Sequence, residues 1–154
     1  AFHTMKRNAF KNYIRKWGHF VKNDEYQYPI LPHKYNIGIT LLNPTYEIFN
    51  FLEPWTSNIN VDLPKHQLDM YVELEQPNTN VNLSEKINNS LLQNDIEVEI
   101  DANKMTNESV NFIVDLSAIL DANDLQKGEY QFDIFKIKVN KINHLETKLI
   151  KCNN

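Results

Sequence analysis

Carboxylates recur at every second position in two places, Glu73 and Glu75 in one and Glu97, Glu99 and Asp101 in the other. Paired carboxylates do general acid and base work when they face each other across a cleft, and they hold calcium when they converge with amide oxygens. A spacing of two instead sets them side by side on one face of an extended strand. The solvated outer face of a sheet accounts for that arrangement. Asp121-Ala-Asn123 opens like a calcium loop, but Leu125 occupies the third ligand position and no glycine stands at the sixth. Asx turns or helix capping explain it better.

The histidines His3, His19, His33, His66 and His144 contain no pair at helical ligand spacing and no HExxH motif. His66 and Asp69 lie close in sequence, yet no serine or cysteine sits in a nucleophile elbow beside them. Gly18, Gly38 and Gly128 are the only glycines and stand singly, so no glycine-rich phosphate loop exists. Cys152, the single cysteine, rules out an intrachain disulfide and fits a reducing, cytoplasmic setting. No catalytic residue, cofactor-binding residue or metal ligand is assigned, no cofactor is expected, and the chain leans away from an enzyme.

Charge is distributed unevenly. Of the 16 Lys and Arg, seven fall before Ile37 against only Asp24 and Glu25, whereas the remaining nine face 18 of the 20 acids. Five of the seven basic residues, Lys6, Arg7, Lys11, Arg15 and Lys16, lie in a stretch from Thr4 to Val21 where Met5, Ala9, Tyr13 and Trp17 recur every fourth residue. That is an amphipathic helix with an apolar stripe and a basic flank. Lys11, Arg15 and Lys16 are its basic surface candidates, interleaved with aromatic rings of the kind that stack on bases.

The elements that carry these groups follow from alternation. Leu68–Glu75, Asp95–Asp101, Ser109–Leu116 and Glu129–Ile134 alternate apolar and polar residues, which predicts strands with one buried face. Tyr35–Leu42, Thr45–Leu52 and Ile59–Leu63 read as further strands, Pro54–Asn58 as a loop and Ser84–Gln93 as a short helix. A change of parity between Ile134 and Phe135 predicts a β-bulge within one long final strand. The fold class expected is mainly β, an antiparallel β-sandwich of six or seven strands with an N-terminal amphipathic helix and one or two short helical connectors. Residues 1–34 form the basic helix with its Pro29/Pro32 connector, and residues 35–154 form the sandwich.

At 154 residues, 42% hydrophobic and 23% charged, the chain can bury a core, and no apolar run reaches the length of a membrane span. The first functional expectation is a non-catalytic interaction or assembly module, a structural subunit or adaptor, that meets a protein partner or a second copy of itself. Tyr13, Trp17, Phe49, Phe51 and Trp55 are its interface candidates, since aromatic anchors dominate interface cores. The alternative is a nucleic-acid-binding protein that uses the basic helix, with weak binding because the acidic body opposes a polyanion; a carboxylate-dependent hydrolase or lyase comes third. Leu68, Met70, Val72, Leu74, Ile96, Val98 and Ile100 are expected inside, with Asp69, Glu73, Glu97 and Glu99 outside. Truncating Val98 or Phe112 to alanine is expected to cost about 2–5 kcal/mol in denaturant unfolding.

Overall fold

The computed structural model describes residues 2–18, 22–23, 25–30, 34–89, 93–123, 126–141 and 144–145. Its centre is one open five-stranded sheet made of β1 (Ile37–Leu42), β2 (Asn58–Val61), β3 (Ile96–Asp101), β4 (Gly128–Phe132) and β5 (Phe135–Val139). The spatial order is β2-β1-β3-β5-β4. β1 runs parallel to both β2 and β3, while β5 runs antiparallel to β3 and to β4. The helices are α1 (Phe2–Trp17), α2 (Tyr46–Leu52), α3 (Lys65–Glu75), α4 (Leu83–Lys86) and α5 (Asn107–Ala122). Two two-residue ladders complete the pairing, Lys22–Asn23 with Pro29–Ile30 and Lys34–Tyr35 with His144–Leu145.

One face of the sheet is apolar because the three central strands alternate in phase. Ile37, Ile96 and Val139 form one row across β1, β3 and β5, and Ile39, Val98 and Ile137 form the next; all six are buried. The helices lie against this face: Phe112 of α5 stacks on Phe135 with ring centroids 4.3 Å apart, and Ile14 of α1 is fully buried in the same core. The segment before Tyr35 therefore packs into the core of the remainder.

The fold is mixed α/β, and the antiparallel sandwich expected from the alternation is overturned. Two of the four alternating stretches are helices. Leu68–Glu75 lies in α3, where Met70 and Leu74 are exposed and Tyr71 and Glu75, four apart, point inward. Only Val72 among its apolar residues is β-branched, which suits a helix, whereas β3 is Ile-Val-Ile at its buried positions. Ser109–Leu116 lies in α5, whose start is fixed by a capping box: Thr106 Oγ1 accepts from Ser109 N at 3.3 Å, and Ser109 Oγ accepts from Thr106 N at 3.2 Å. The buried residues Ser109, Ile113, Leu116, Ser117 and Leu120 follow helical spacing.

Thr45–Leu52, expected as a strand, is α2 with Thr45 as its cap, and Pro54–Trp55, expected in a loop, continue it as a 3₁₀ turn over Glu53–Trp55. The parity change is a chain reversal rather than a bulge. Asp133 and Ile134 form a two-residue hairpin turn with Asp133 at φ 48°, so that Phe132 faces Phe135 and the two apolar runs come to lie on one face. α1 starts at Phe2 and stops at Trp17, where Gly18 at φ 78° donates its N–H to Ile14 O at 2.7 Å. The helix expected over Ser84–Gln93 is cut short, since α4 ends at Lys86 and Ile87 turns extended to bridge Ile59; residues 90–92, the expected continuation of α1 over residues 19–21 and Cys152 lie outside the described residues.

No described helix is long and apolar enough to cross a membrane.

Gly38 on β1 is the position where the backbone has no room for a side chain. A Cβ there would overlap the Asn94 amide, which is buried across it and donates to Asn36 Oδ1 at 2.8 Å. Gly38→Ala is therefore expected to destabilise the fold by about 1–3 kcal/mol through overpacking. Asn94→Ala should relieve part of that cost. A double-mutant cycle by urea unfolding measures it, and strict additivity of the two changes would contradict the contact.

Candidate functional site

The densest polar chemistry lies inside the helical layer. α1 projects Lys11 and Arg15 four residues apart from one side, and α3 projects Tyr71 and Glu75 at the same spacing. The 3₁₀ turn after α2 contributes Glu53, and α4 contributes Lys86 at its last residue. Arg15 Nε sits 3.1 and 3.2 Å from the two Glu53 carboxylate oxygens, and Arg15 Nη2 bonds Glu53 as well and lies 3.0 Å from Glu75 Oε1. Lys86 Nζ donates to Glu53 Oε2 at 2.6 Å and to the Glu53 carbonyl at 2.7 Å. Tyr71 donates its hydroxyl to Glu53 Oε1 at 2.6 Å, and Lys11 reaches Glu75 at 2.9 Å, the Tyr71 hydroxyl at 3.3 Å and the Asn50 amide oxygen.

These contacts set the protonation states. Burial alone would raise the Glu53 carboxyl pKa, but the charges and hydrogen bonds of Lys86 and Arg15 outweigh it and hold it at about 2. Burial pushes Lys86 down to about 8, with Glu53 opposing the shift. Burial raises the Tyr71 hydroxyl, and the neighbouring Glu53 carboxylate raises it further. Glu53 is fully buried and both its oxygens are taken by donors from three other elements, which makes it a clamp between elements. A general base needs a free lone pair directed at a substrate, and Glu53 offers none.

The opposite face of the sheet, covered by Asn94 at Asn58 and Gly38 and open over β3, β5 and β4, carries the second concentration of polar groups. Because the strands alternate, the partners of the buried rows form two polar rows: Asn58, Gly38, Glu97, Lys138 and Glu129 in one, and Asn60, Thr40, Glu99, Lys136 and Gln131 in the other. Between β3, β5 and β4 this face holds a shallow concavity of about 600 Å³. Lys136 Nζ stands 3.7 Å from Glu99 Oε1, an exposed pair worth roughly 0–1 kcal/mol.

The two sheet edges differ. Beyond β2, Ile87 bridges Ile59, and Asn88 completes the edge: its N–H donates to Ile59 O at 2.8 Å, its Oδ1 accepts from Val61 N at 2.6 Å and its Nδ2 donates to Val61 O at 2.9 Å. Beyond β4 no described strand or side chain does the same. Glu129, Gln131 and Phe132 are exposed along it.

The basic and aromatic residues expected at a surface are placed differently. Lys11 and Arg15 are buried in the ionic cluster, and of the three only Lys16 is exposed, its Nζ 5.1 Å from the Trp17 ring centroid. Phe49 is fully buried and packs edge-on against Tyr71 with centroids 4.7 Å apart, and Trp55 is buried beside the half-buried Phe51. Tyr13 and Trp17 are half-buried with their rings 6.5 Å apart. Glu75, expected on a solvated outer face, is instead buried, and nothing in the sequence pattern singled out Glu53, Tyr71 or Lys86. The available signals were the lone Glu53 between Phe51-Leu52 and Pro54-Trp55 and the i, i+4 match of Lys11/Arg15 to Tyr71/Glu75; Lys86, between Glu85 and Ile87, carried none.

His66 is exposed, and among the described residues no group of three or more His, Cys, Asp and Glu side chains is placed to hold a metal ion. No family model, curated protein or solved structure matches this chain.

Removing one partner from a buried ion cluster strands the others. Glu53→Ala is expected to cost about 3–5 kcal/mol in urea unfolding at neutral pH. Since the folded Glu53 pKa of about 2 lies below its ordinary 4.5, its contribution is complete above 4.5 and disappears as the pH falls toward 2. Unfolding followed over that range should show stability falling with acid in the parent and a shallower fall in Glu53→Gln; identical acid limbs would refute the assignment.

Proposed function

We propose that the protein is a non-catalytic interaction module and that its docking element is the free edge of β4. The observation that carries this is the asymmetry of the sheet, one edge closed by Asn88 and the other left with an exposed backbone row. A two-residue hairpin closes on a hydrogen-bonded pair, Phe132 with Phe135, so the N–H and C=O groups of Glu129 and Gln131 point away from β5. Soluble proteins blunt such edges with lysine, proline or a bulge, and β4 has none of these.

A second copy of the chain fits this edge. Antiparallel pairing centred on Tyr130 sets Glu129 opposite Gln131 and Phe132 opposite Gly128, with no like charges directly opposed and an aromatic ring over each glycine. Both outward-facing residues of each copy then make ladder hydrogen bonds. A five-residue strand is small beside a standard interface of about 1,600 Å², so the association is expected to be reversible. Of the aromatic interface candidates, Phe49 and Trp55 are buried and do not supply it, and the nucleic-acid alternative loses Lys11 and Arg15 to Glu53 and Glu75.

Sedimentation velocity from micromolar to millimolar chain tests the proposal. A concentration-dependent dimer is expected. Gln131→Pro, which removes an outward N–H without breaking the ladder to β5, should abolish it while leaving the circular dichroism spectrum unchanged. A monomer throughout the range, or a dimer that Gln131→Pro leaves intact, would reject it.

A further inference from the structure

Next to the ionic cluster, α1 and the segment 77–81 enclose a second concavity of about 570 Å³. Asn12, Arg15 and Lys16 line it from α1, Lys34 lines it from the ladder strand, and Asn78 and Asn80 line the opposite wall. That wall is fixed in place. Gln76 Nε2 donates to the carbonyls of Thr79 at 3.2 Å and Val81 at 2.7 Å, and Asn12 Nδ2 donates to Asn78 O at 2.6 Å.

The cations around this concavity outnumber the carboxylates. Lys11, Arg15 and Lys86 meet the two buried carboxylates Glu53 and Glu75, and Lys34 adds a fourth positive charge against those two negative ones. Lys34 is the unmatched member: its Nζ donates to the Arg15 carbonyl at 2.7 Å, and it forms no ion pair with a described residue. Burial lowers its pKa with no carboxylate opposing the shift. Donors also remain unused. Arg15 spends Nε and Nη2 on the carboxylates and one Nη1 hydrogen on Asn12 Oδ1 at 3.1 Å, which leaves the second Nη1 hydrogen, two hydrogens of Lys34 and the Lys16 ammonium at the rim.

We propose that this concavity binds the phosphate group of a small phosphomonoester, with Arg15 and Lys34 as its charge partners and Lys16 at the mouth. A phosphomonoester near neutral pH carries close to two negative charges on three acceptor oxygens, which matches the net excess of two positive charges and the spare donors that converge from different elements. A carboxylate ligand would neutralise only one of those charges. A polyanionic strand suits the site less well, because Lys16 is the one exposed cation of the three on this stretch of α1 and the acidic body repels an extended polyanion.

Calorimetric titration and thermal unfolding of the full chain at constant ionic strength provide the test, with inorganic phosphate, AMP and a single-stranded oligonucleotide without terminal phosphates as probes. Phosphate and AMP are expected to bind and to raise the melting temperature above its value in chloride. Lys34→Met should weaken both by about tenfold or more, since it removes a charge-assisted hydrogen bond, while its unliganded form melts no lower than the parent because a desolvated cation is gone. Lys16→Gln, an exposed change that does not touch the fold, should weaken them by a smaller factor. No response to phosphate beyond that to chloride would overturn the proposal, as would unchanged affinity in both variants. Tighter binding of the oligonucleotide than of AMP would overturn it in favour of a nucleic-acid site.

Discussion

The carboxylate of Glu53 lies fully inside the protein and stays ionised, and the arrangement of the helices follows from satisfying it. An unpaired charge in such a place costs several kcal/mol at least, so the position is tolerable only if cations and donors arrive with it. They come from three separate elements: Arg15 from α1, Tyr71 from α3 and Lys86 from α4. Each lies far from Glu53 in the chain, and so the contact fixes tertiary structure that local propensity leaves open. The N-terminal helix is held by Ile14 in the core and by Lys11 and Arg15 on the carboxylates, and it completes the helical layer.

This use of charge shapes the outer surface. The basic residues that give the N-terminal segment its excess positive charge are partly consumed inside, so the surface of α1 near the cluster is less basic than its sequence. Among the basic residues of this segment whose burial is described, Lys16 stands at the surface and Lys34 is half-buried without a carboxylate, both at the concavity beside segment 77–81. The acidic body is likewise less exposed than its charge implies, with Glu53 and Glu75 inside and Glu97 and Glu129 set beside Lys138 in one cross-strand row. Opposite charges facing each other across a ladder support the open part of the polar face without a second layer above it.

The sheet is managed differently at its two ends. At β2, Asn88 supplies both a donor and an acceptor from one side chain and its own N–H, imitating the next strand, and Ile87 covers the apolar position. An asparagine at φ 54° takes the backbone bend this clip needs, in a chain with only three glycines. At β4 the hairpin turn at Asp133 ends the sheet and no described residue pairs with the outer edge of the strand, and the aromatic Phe132 is left half open.

What the sequence determined by itself was β3 with its β-branched buried positions, the aromatic alternation of β4, the apolar run of β1 and the helix with a clear four-residue repeat. β3 and β4 lie where alternation placed them, β1 lies within the apolar run Tyr35–Leu42, α1 overlaps its expected span, and Ile96, Val98 and Ile100 are buried with Glu97 exposed. Alternation in Leu68–Glu75 and Ser109–Leu116 was ambiguous over eight residues, because a helix buries every third or fourth residue and a short window satisfies both periods. Caps resolved it, Thr106 with Ser109 for α5, while α3 was settled by Tyr71 and Glu75 turning inward to meet α1. Two parallel pairings through β1 and the chain reversal at Asp133 were equally closed to local inspection, since pairing partners are remote in sequence. The ionic cluster was decided by tertiary structure alone. Lys11, Arg15, Glu53, Glu75 and Lys86 look like ordinary surface charges one at a time, and only folding removes them from water together, where each makes the burial of the others affordable.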